Sequence, residues 1–260
     1  MNSSLYAVLV PALLPVLLII IYIYKKDKKE KEPLGLVLKT LIWGAILSLP
    51  CAGVEKLMEL ILGAFFEQGT VSYAAAENII GVALIEELAK YIVIMLFIWK
   101  NDNFDYRYDG IVYAASASLG FAALENVLYL LSFGTDISLG RALFSIPGHT
   151  TFGVFMGLYL SRAKEAMCSG KTFRMKRLKF KALLVPTIIH GIYDFLLDDT
   201  LQQNYFYLFI IFVIIIDIIA LSIIRREHKH DKPLGVLKQS DVINQSDGLN
   251  AENIDYEEGN

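Results

Sequence analysis

The chain has 260 residues, of which 55% are hydrophobic and 20% are charged, and its mean hydropathy is +0.48. The formal net charge of −3 hides an uneven layout, because the charges form short clusters between long apolar runs. This composition argues against a soluble fold and against nucleic-acid binding, and it predicts an all-α polytopic helical bundle in a membrane.

Seven apolar segments are candidates to cross about 30 Å of hydrocarbon as helices, which rise about 1.5 Å per residue. We place them at residues 5–24, 34–51, 79–99, 110–132, 140–161, 182–197 and 204–224. Residues 52–66 mix Glu55, Lys56 and Glu59 with leucines, a pattern typical of an amphipathic continuation that lies at the membrane interface.

Basic residues give the predicted orientation, because Lys and Arg in short loops are retained on the cytoplasmic side. Twenty of the 24 Lys and Arg residues follow the first, third, fifth and seventh spans. This distribution predicts seven spans with the N-terminus outside. We expect residues 1–226 to form the membrane-embedded domain and residues 227–260 to form a flexible polar tail in the cytoplasm.

Polar side chains interrupt four of the predicted spans, where an uncompensated charge costs about 2.5–3.5 kcal/mol on insertion scales. They are Glu86, Glu87 and Lys90 in the third span, Glu125 and Asn126 in the fourth, His149 in the fifth, and His190 and Asp194 in the sixth. Counted from the exterior end of each span, the acids and imidazoles lie roughly 10–14 Å below the outer surface. Four helices therefore bring polar groups to one layer, which predicts a polar pocket in the outer half of the membrane.

Sequence spacing indicates how two groups of these side chains interact. Lys90 lies four residues after Glu86 and three after Glu87, so we expect it to neutralise one glutamate and leave the other facing the cavity. Asp194 lies four residues after His190 and is expected to orient its imidazole.

Carboxylates and imidazoles in one pocket predict hydrolysis, with Glu86 or Glu87 activating a water and Lys90 tuning both glutamates. His149 and His190 would bind a metal or stabilise the oxyanion, and Glu125 with Asn126 would complete the wall of the site. Two alternatives stay open, a seven-span lipid amidase with a zinc site and a proton-coupled transporter or sensor.

The ordered motifs Glu86-Glu87-x-x-Lys90, Phe121-x-x-x-Glu125-Asn126, His149 and His190-x-x-x-Asp194 resemble those of the PrsW-type intramembrane proteases, within the superfamily of the CAAX prenyl endopeptidases. The resemblance covers residues 79–197. It implies a peptide hydrolase of the bacterial cytoplasmic membrane that makes the first cut in a membrane-anchored anti-sigma factor during envelope stress. The implied partners are membrane lipids and a single-span protein substrate, with no nucleic acid.

The cofactor stays open, because the superfamily has been described both as metalloproteases and as glutamate-dependent enzymes without a metal. Two histidines and several carboxylates satisfy either chemistry. If one divalent metal such as zinc is bound, we expect His149, His190 and Glu125 to hold it. The prenyl proteases have His where Glu125 stands here, so their prenyl substrate is not expected for this chain.

Overall fold

Helices make up nearly all of the described chain. The structure is a computed structural model that describes residues 2–235, with side chains for all of these except residues 2–5 and 202–204. The helices are α1 (Asn2–Lys26), α2 (Leu34–Gly63), α3 (Val71–Ala76), α4 (Leu84–Phe97), α5 (Asp109–Phe133), α6 (Ser138–Gly140), α7 (Ile146–Cys168), α8 (Thr172–Leu197) and α9 (Asp199–Lys229). This architecture confirms the predicted all-α membrane bundle.

Two π-helices interrupt the third and fifth predicted spans. The first, Glu77–Ala83, joins α3 to α4, and the second, Arg141–Ser145, joins α6 to α7. Five other helices, α1, α2, α5, α8 and α9, are long and apolar enough to cross a membrane. Most helices also extend past the predicted spans, because hydropathy marks only the apolar part of a helix. Seven spans and an exterior N-terminus stay predictions.

Helix α2 includes most of residues 52–66, which were predicted as an amphipathic continuation at the membrane interface. The helix continues past Pro50 to Gly63, with no break after residue 51. Glu55, half-buried on this extension, is close enough to interact electrostatically with Lys90 and Glu125. Glu55 therefore faces the polar interior of the bundle, whereas Lys56 on the same extension is exposed. The position of this segment at the membrane interface stays a prediction.

Helix α5 lies at the centre of the bundle and packs against α1, α2 and α7, with most of its side chains buried. Glycines allow the backbones to touch. A Cβ at Gly120 would collide with the carbonyl oxygen of Leu41 in α2, and a Cβ at Gly157 would collide with that of Gly110 in α5. Close backbone approach is how helices gain packing energy in lipid, and it holds α2 and α7 at fixed positions around α5.

The outer helices complete the site and meet the lipid. Helix α8 packs against α7, α4 and the first π-helix, and α9 packs against α8 and α7. Large apolar side chains such as Leu17, Ile42 and Ile218 point away from the bundle and are exposed, which suits contact with hydrocarbon.

The first residues of the predicted tail belong to the folded domain. Helix α9 continues to Lys229, and the following segment returns to the loop between α4 and α5. There the backbone amide of Leu234 donates to the carbonyl of Asp105, and that of Arg107 donates to the carbonyl of Lys232. Leu234 is buried. The rest of the predicted tail, residues 236–260, lies outside the described residues.

Candidate active site

The eight polar residues that the sequence singles out meet between α4, α5, α7 and α8. Glu86, Glu87, Lys90, Asn126, His149 and His190 are buried, whereas Glu125 and Asp194 are partly exposed. We use the name site cluster for Glu86, Glu87, Lys90, His149 and His190, which contact one another directly.

Lys90 is the cation at the centre of the site cluster, with none of its side chain exposed. Its Nζ donates to Glu87 Oε1 at 2.7 Å, to Glu86 Oε2 at 3.2 Å and to His149 Nδ1 at 3.0 Å. The expectation that Lys90 would neutralise only one glutamate was wrong. Glu86 and Glu87 lie about one helical turn before Lys90 on α4, and the long Lys90 side chain reaches back so that its ammonium contacts both carboxylates.

His190 reaches the site cluster because α8 approaches the first π-helix closely. A Cβ at Gly191 would lie 2.9 Å from Ile79 Cα, so glycine allows this approach. The preceding residue, His190, then places Nδ1 3.0 Å from Glu87 Oε1 and Nε2 3.1 Å from Asp194 Oδ2. The predicted contact between Asp194 and His190 is present, and Glu87 holds the other nitrogen.

The contacts of the two imidazoles indicate which nitrogen of each ring carries hydrogen. The Lys90 ammonium can only donate, so His149 Nδ1 accepts, and His149 Nε2 carries the hydrogen donated to Glu125 Oε2 at 2.8 Å. Glu87, paired with Lys90, can only accept, so His190 Nδ1 carries hydrogen. His149 Nδ1, the atom that accepts from Lys90, also faces Glu86. His190 Nε2 lies near both Asp194 and Glu86.

Glu86, His149 and His190 offer ligand atoms that all lie within 4.8 Å of one another. Glu86 Oε2 is 3.9 Å from His149 Nδ1 and 3.9 Å from His190 Nε2. Two imidazole nitrogens and one carboxylate oxygen are a donor set that catalytic zinc uses, and carboxylates on the opposite nitrogens orient such ligands. The residues fit a divalent metal. This set contains Glu86 in place of the expected Glu125, because Glu125 binds the far side of the His149 ring.

Two further charged residues, which were not among the predicted site residues, lie close to the site. Arg141 stands near the start of the predicted fifth span, 140–161, and its Nη2 donates to Glu125 Oε1 at 2.8 Å. Glu55 was assigned to the interface. Helical spacing indicates that Glu55 faces the interior, because it follows the buried residues Ser48 and Cys51 by seven and four positions on one helix face.

Comparison with known proteins identifies the family. Residues 32–219, more than half of the chain, match the model of the PrsW family of intramembrane metalloproteases. The chain belongs to this family. Relatives named Protease PrsW include those of Geobacillus kaustophilus (38% identical over 185 residues, 71% of this chain and 77% of the relative) and Oceanobacillus iheyensis (34% over 231 residues, 86% and 97%). That of Bacillus subtilis is 34% identical over 212 residues, 80% of this chain and 90% of the relative.

Family membership confirms the prediction of a membrane protease and of a multi-pass bacterial membrane protein. The relatives are proteases, so they give no support to the lipid amidase or to the transporter. No solved structure is significantly similar to the chain.

Proposed function

We propose that this protease cuts a single-span membrane protein near the outer face of the bacterial cytoplasmic membrane, and that its substrate is an anti-sigma factor in envelope-stress signalling. The observation that carries the proposal is the convergence of two imidazoles, three glutamates and one aspartate from four helices, in an interior where isolated charges are costly. The orientation of basic loops supports the outer face, and the resemblance supports the substrate class.

Glu86, His149 and His190 would hold the metal of this metalloprotease family, for which we propose zinc. When bound, the metal would polarise the scissile carbonyl and favour ionisation of a water. Glu125 fixes the His149 ring through Nε2, and Glu87 fixes the His190 ring through Nδ1.

Asp194 is our candidate for the proton carrier. Its side chain is 24% exposed, compared with 8% for Glu86 and none for Glu87. Glu125 is also partly exposed, but both of its oxygens are already bound by Arg141 and His149. Asp194 therefore takes a proton from the attacking water and returns it to the leaving amine, in place of the expected Glu86 or Glu87.

Asn126 supplies a free hydrogen-bond donor. Its Oδ1 accepts from Arg141 Nε, whereas its buried Nδ2 has no partner among the described residues. We assign Nδ2 to the substrate carbonyl oxygen, where a positioned donor stabilises developing negative charge.

The test uses purified protein in liposomes with a single-span anti-sigma factor from the same genome, tagged at both ends, and mass spectrometry of the fragments. Wild type should cut on the outer side of the substrate span. E86Q, H149A and H190A should bind less zinc and cleave at least about 100-fold more slowly, whereas D194N should keep zinc and lose kcat. E59Q, on the same α2 that carries Glu55 but paired only with exposed Lys56, is the control. Wild-type cleavage by E86Q and H190A would overturn the assignment of the site.

A further inference from the structure

Arg141 is held against one face of α5 by three separate contacts. Its Nη2 donates to Glu125 Oε1 at 2.8 Å, its Nε donates to Asn126 Oδ1, and its guanidinium lies 3.8 Å from the centre of the Tyr129 ring. The side chain is only 16% exposed. An arginine that served only to meet water at the membrane surface would extend outward instead.

The two oxygens of Glu125 connect Arg141 to His149. Glu125 Oε1 accepts from Arg141, and Glu125 Oε2 accepts from His149 Nε2 at 2.8 Å. A carboxylate bound on both sides has one orientation, and so does the imidazole that it holds. Arg141 thereby fixes the direction in which His149 Nδ1 points, which is toward Lys90 and Glu86.

The guanidinium geometry suits this task better than a lysine ammonium would. The planar fork reaches two acceptors, Glu125 and Asn126, from fixed directions while its face stacks on Tyr129. By accepting from Arg141, Asn126 Oδ1 also fixes the amide, which leaves Nδ2 as the free donor.

We propose that Arg141 is a positioning residue of the active site, acting through Glu125 on His149 and through Asn126 on the free amide donor. The inference rests on the proposed function for its catalytic consequence, but not for its effect on metal binding. Arg141 contacts none of the three residues that would hold the metal, and Glu125 is the residue that connects it to one of them, His149.

The experiment measures the zinc affinity of the metal-free purified full chain, by competition with a chromophoric chelator, together with kcat and KM for the tagged substrate. The variants are R141Q, R141K, E125A and the double variant R141Q/E125A. R141Q should weaken zinc binding about 10- to 100-fold and lower kcat with little change in KM, and R141K should fall between R141Q and wild type. In the E125A background, R141Q should cause no further loss of zinc affinity.

R162Q is the matched control, because Arg162 is also a partly buried arginine near a carboxylate, 3.7 Å from Glu227, at the other end of α7.

The proposal is overturned if R141Q binds zinc with wild-type affinity. If R141Q does not accumulate in membranes, the proposal is overturned if R141K binds zinc with wild-type affinity. A loss in the double variant that equals the product of the two single losses overturns the route through Glu125. Failure of the proposed function looks different, because wild-type protein would then leave every single-span substrate uncut while the zinc affinities still followed the predicted order.

Discussion

Buried carboxyl groups occur in the site cluster and in a second group of residues at the opposite end of α5, and the two regions stabilise them in different ways. We call the second group the loop cluster, and define it as Asp27, Glu32, Asp109 and Tyr113. Asp109 lies 16 residues before Glu125 on α5, which separates the two regions by about 24 Å. In the site cluster, buried glutamates contact the Lys90 ammonium. In the loop cluster, no Lys or Arg side chain of the described residues forms a salt bridge with the three acids.

The acids of the loop cluster rely on hydrogen bonds, and two of them have raised pKa values. Tyr113 donates its hydroxyl to Glu32, the Glu32 amide donates to Asp27, and the carboxyl groups of Glu32 and Asp109 interact directly. Burial, reinforced by neighbouring acids, raises the pKa of Glu32 from 4.5 to about 7 and that of Asp27 from 3.8 to about 6. The comparison teaches that a fold can bury carboxylates in two ways, by contact with a cation as in the site cluster, or by hydrogen bonds and an increased affinity for protons as in the loop cluster.

The largest expected effect is that of K90M, because Lys90 is the only Lys or Arg side chain of the described residues that contacts both buried glutamates of α4. Leaving buried carboxylates unpaired should lower the free energy of unfolding by about 3–5 kcal/mol. Chemical denaturation in detergent measures this loss. K90R, which keeps a positive charge, should lose less.

K56M is the control for this experiment, because Lys56 pairs with Glu59 while 68% of its side chain is exposed. Its stability should change by less than about 0.5 kcal/mol. If K90M were as stable as wild type, the site glutamates would have to bind protons as the loop cluster does, and the contrast between the two regions would disappear.

An intermediate effect is expected for Y113F, which removes the buried hydroxyl that donates to Glu32. An acceptor left without its donor in a buried place costs about 1–3 kcal/mol. Y91F should be nearly neutral, because the Tyr91 hydroxyl makes no hydrogen bond to any described residue. Equal stabilities of Y113F and Y91F would show that this hydrogen bond does not hold the loop cluster together.

The smallest effect concerns the pH dependence of stability. Since the pKa of Glu32 is higher in the folded protein than the ordinary 4.5, the folded state binds more protons between about pH 4.5 and 7. Its contribution to stability is complete below this window and is lost as the pH rises through about 7. E32Q keeps an acceptor for Tyr113 without a titrating group, so its stability should fall less over this window. Parallel pH profiles for wild type and E32Q would exclude a titrating Glu32.

The depth of the polar residues could be predicted from the sequence, because hydropathy locates a residue along its own helix. Glu86, Glu125, His149 and His190 were assigned to one layer, and the structure brings them together. Hydropathy does not give the direction in which a side chain points around the helix. For this reason the contact of Arg141 with Glu125 could not be predicted from the sequence.

The loop cluster could not be predicted, because its burial depends on contacts between distant segments. Glu32 and Asp109 are 77 positions apart, and each stands beside a predicted span where a charged residue is usually solvated. They are buried only because the α1–α2 loop packs onto the start of α5. By contrast, the contacts of Lys90 with Glu86 and Glu87 follow from their spacing on one helix alone.

The two π-helices set the direction in which the helices that follow them present their side chains. Glu86 follows the first π-helix by three positions, and His149 follows the second by four. Each residue turns an α-helix by about 100° but turns a π-helix by less, because π-helical hydrogen bonds join residues five apart instead of four. If Glu77–Ala83 were an ordinary α-helix with the same number of residues, the glutamate pair would face a different side of α4 relative to α3. The two π-helices therefore determine which way Glu86 and His149 face, even though neither contributes a ligand atom.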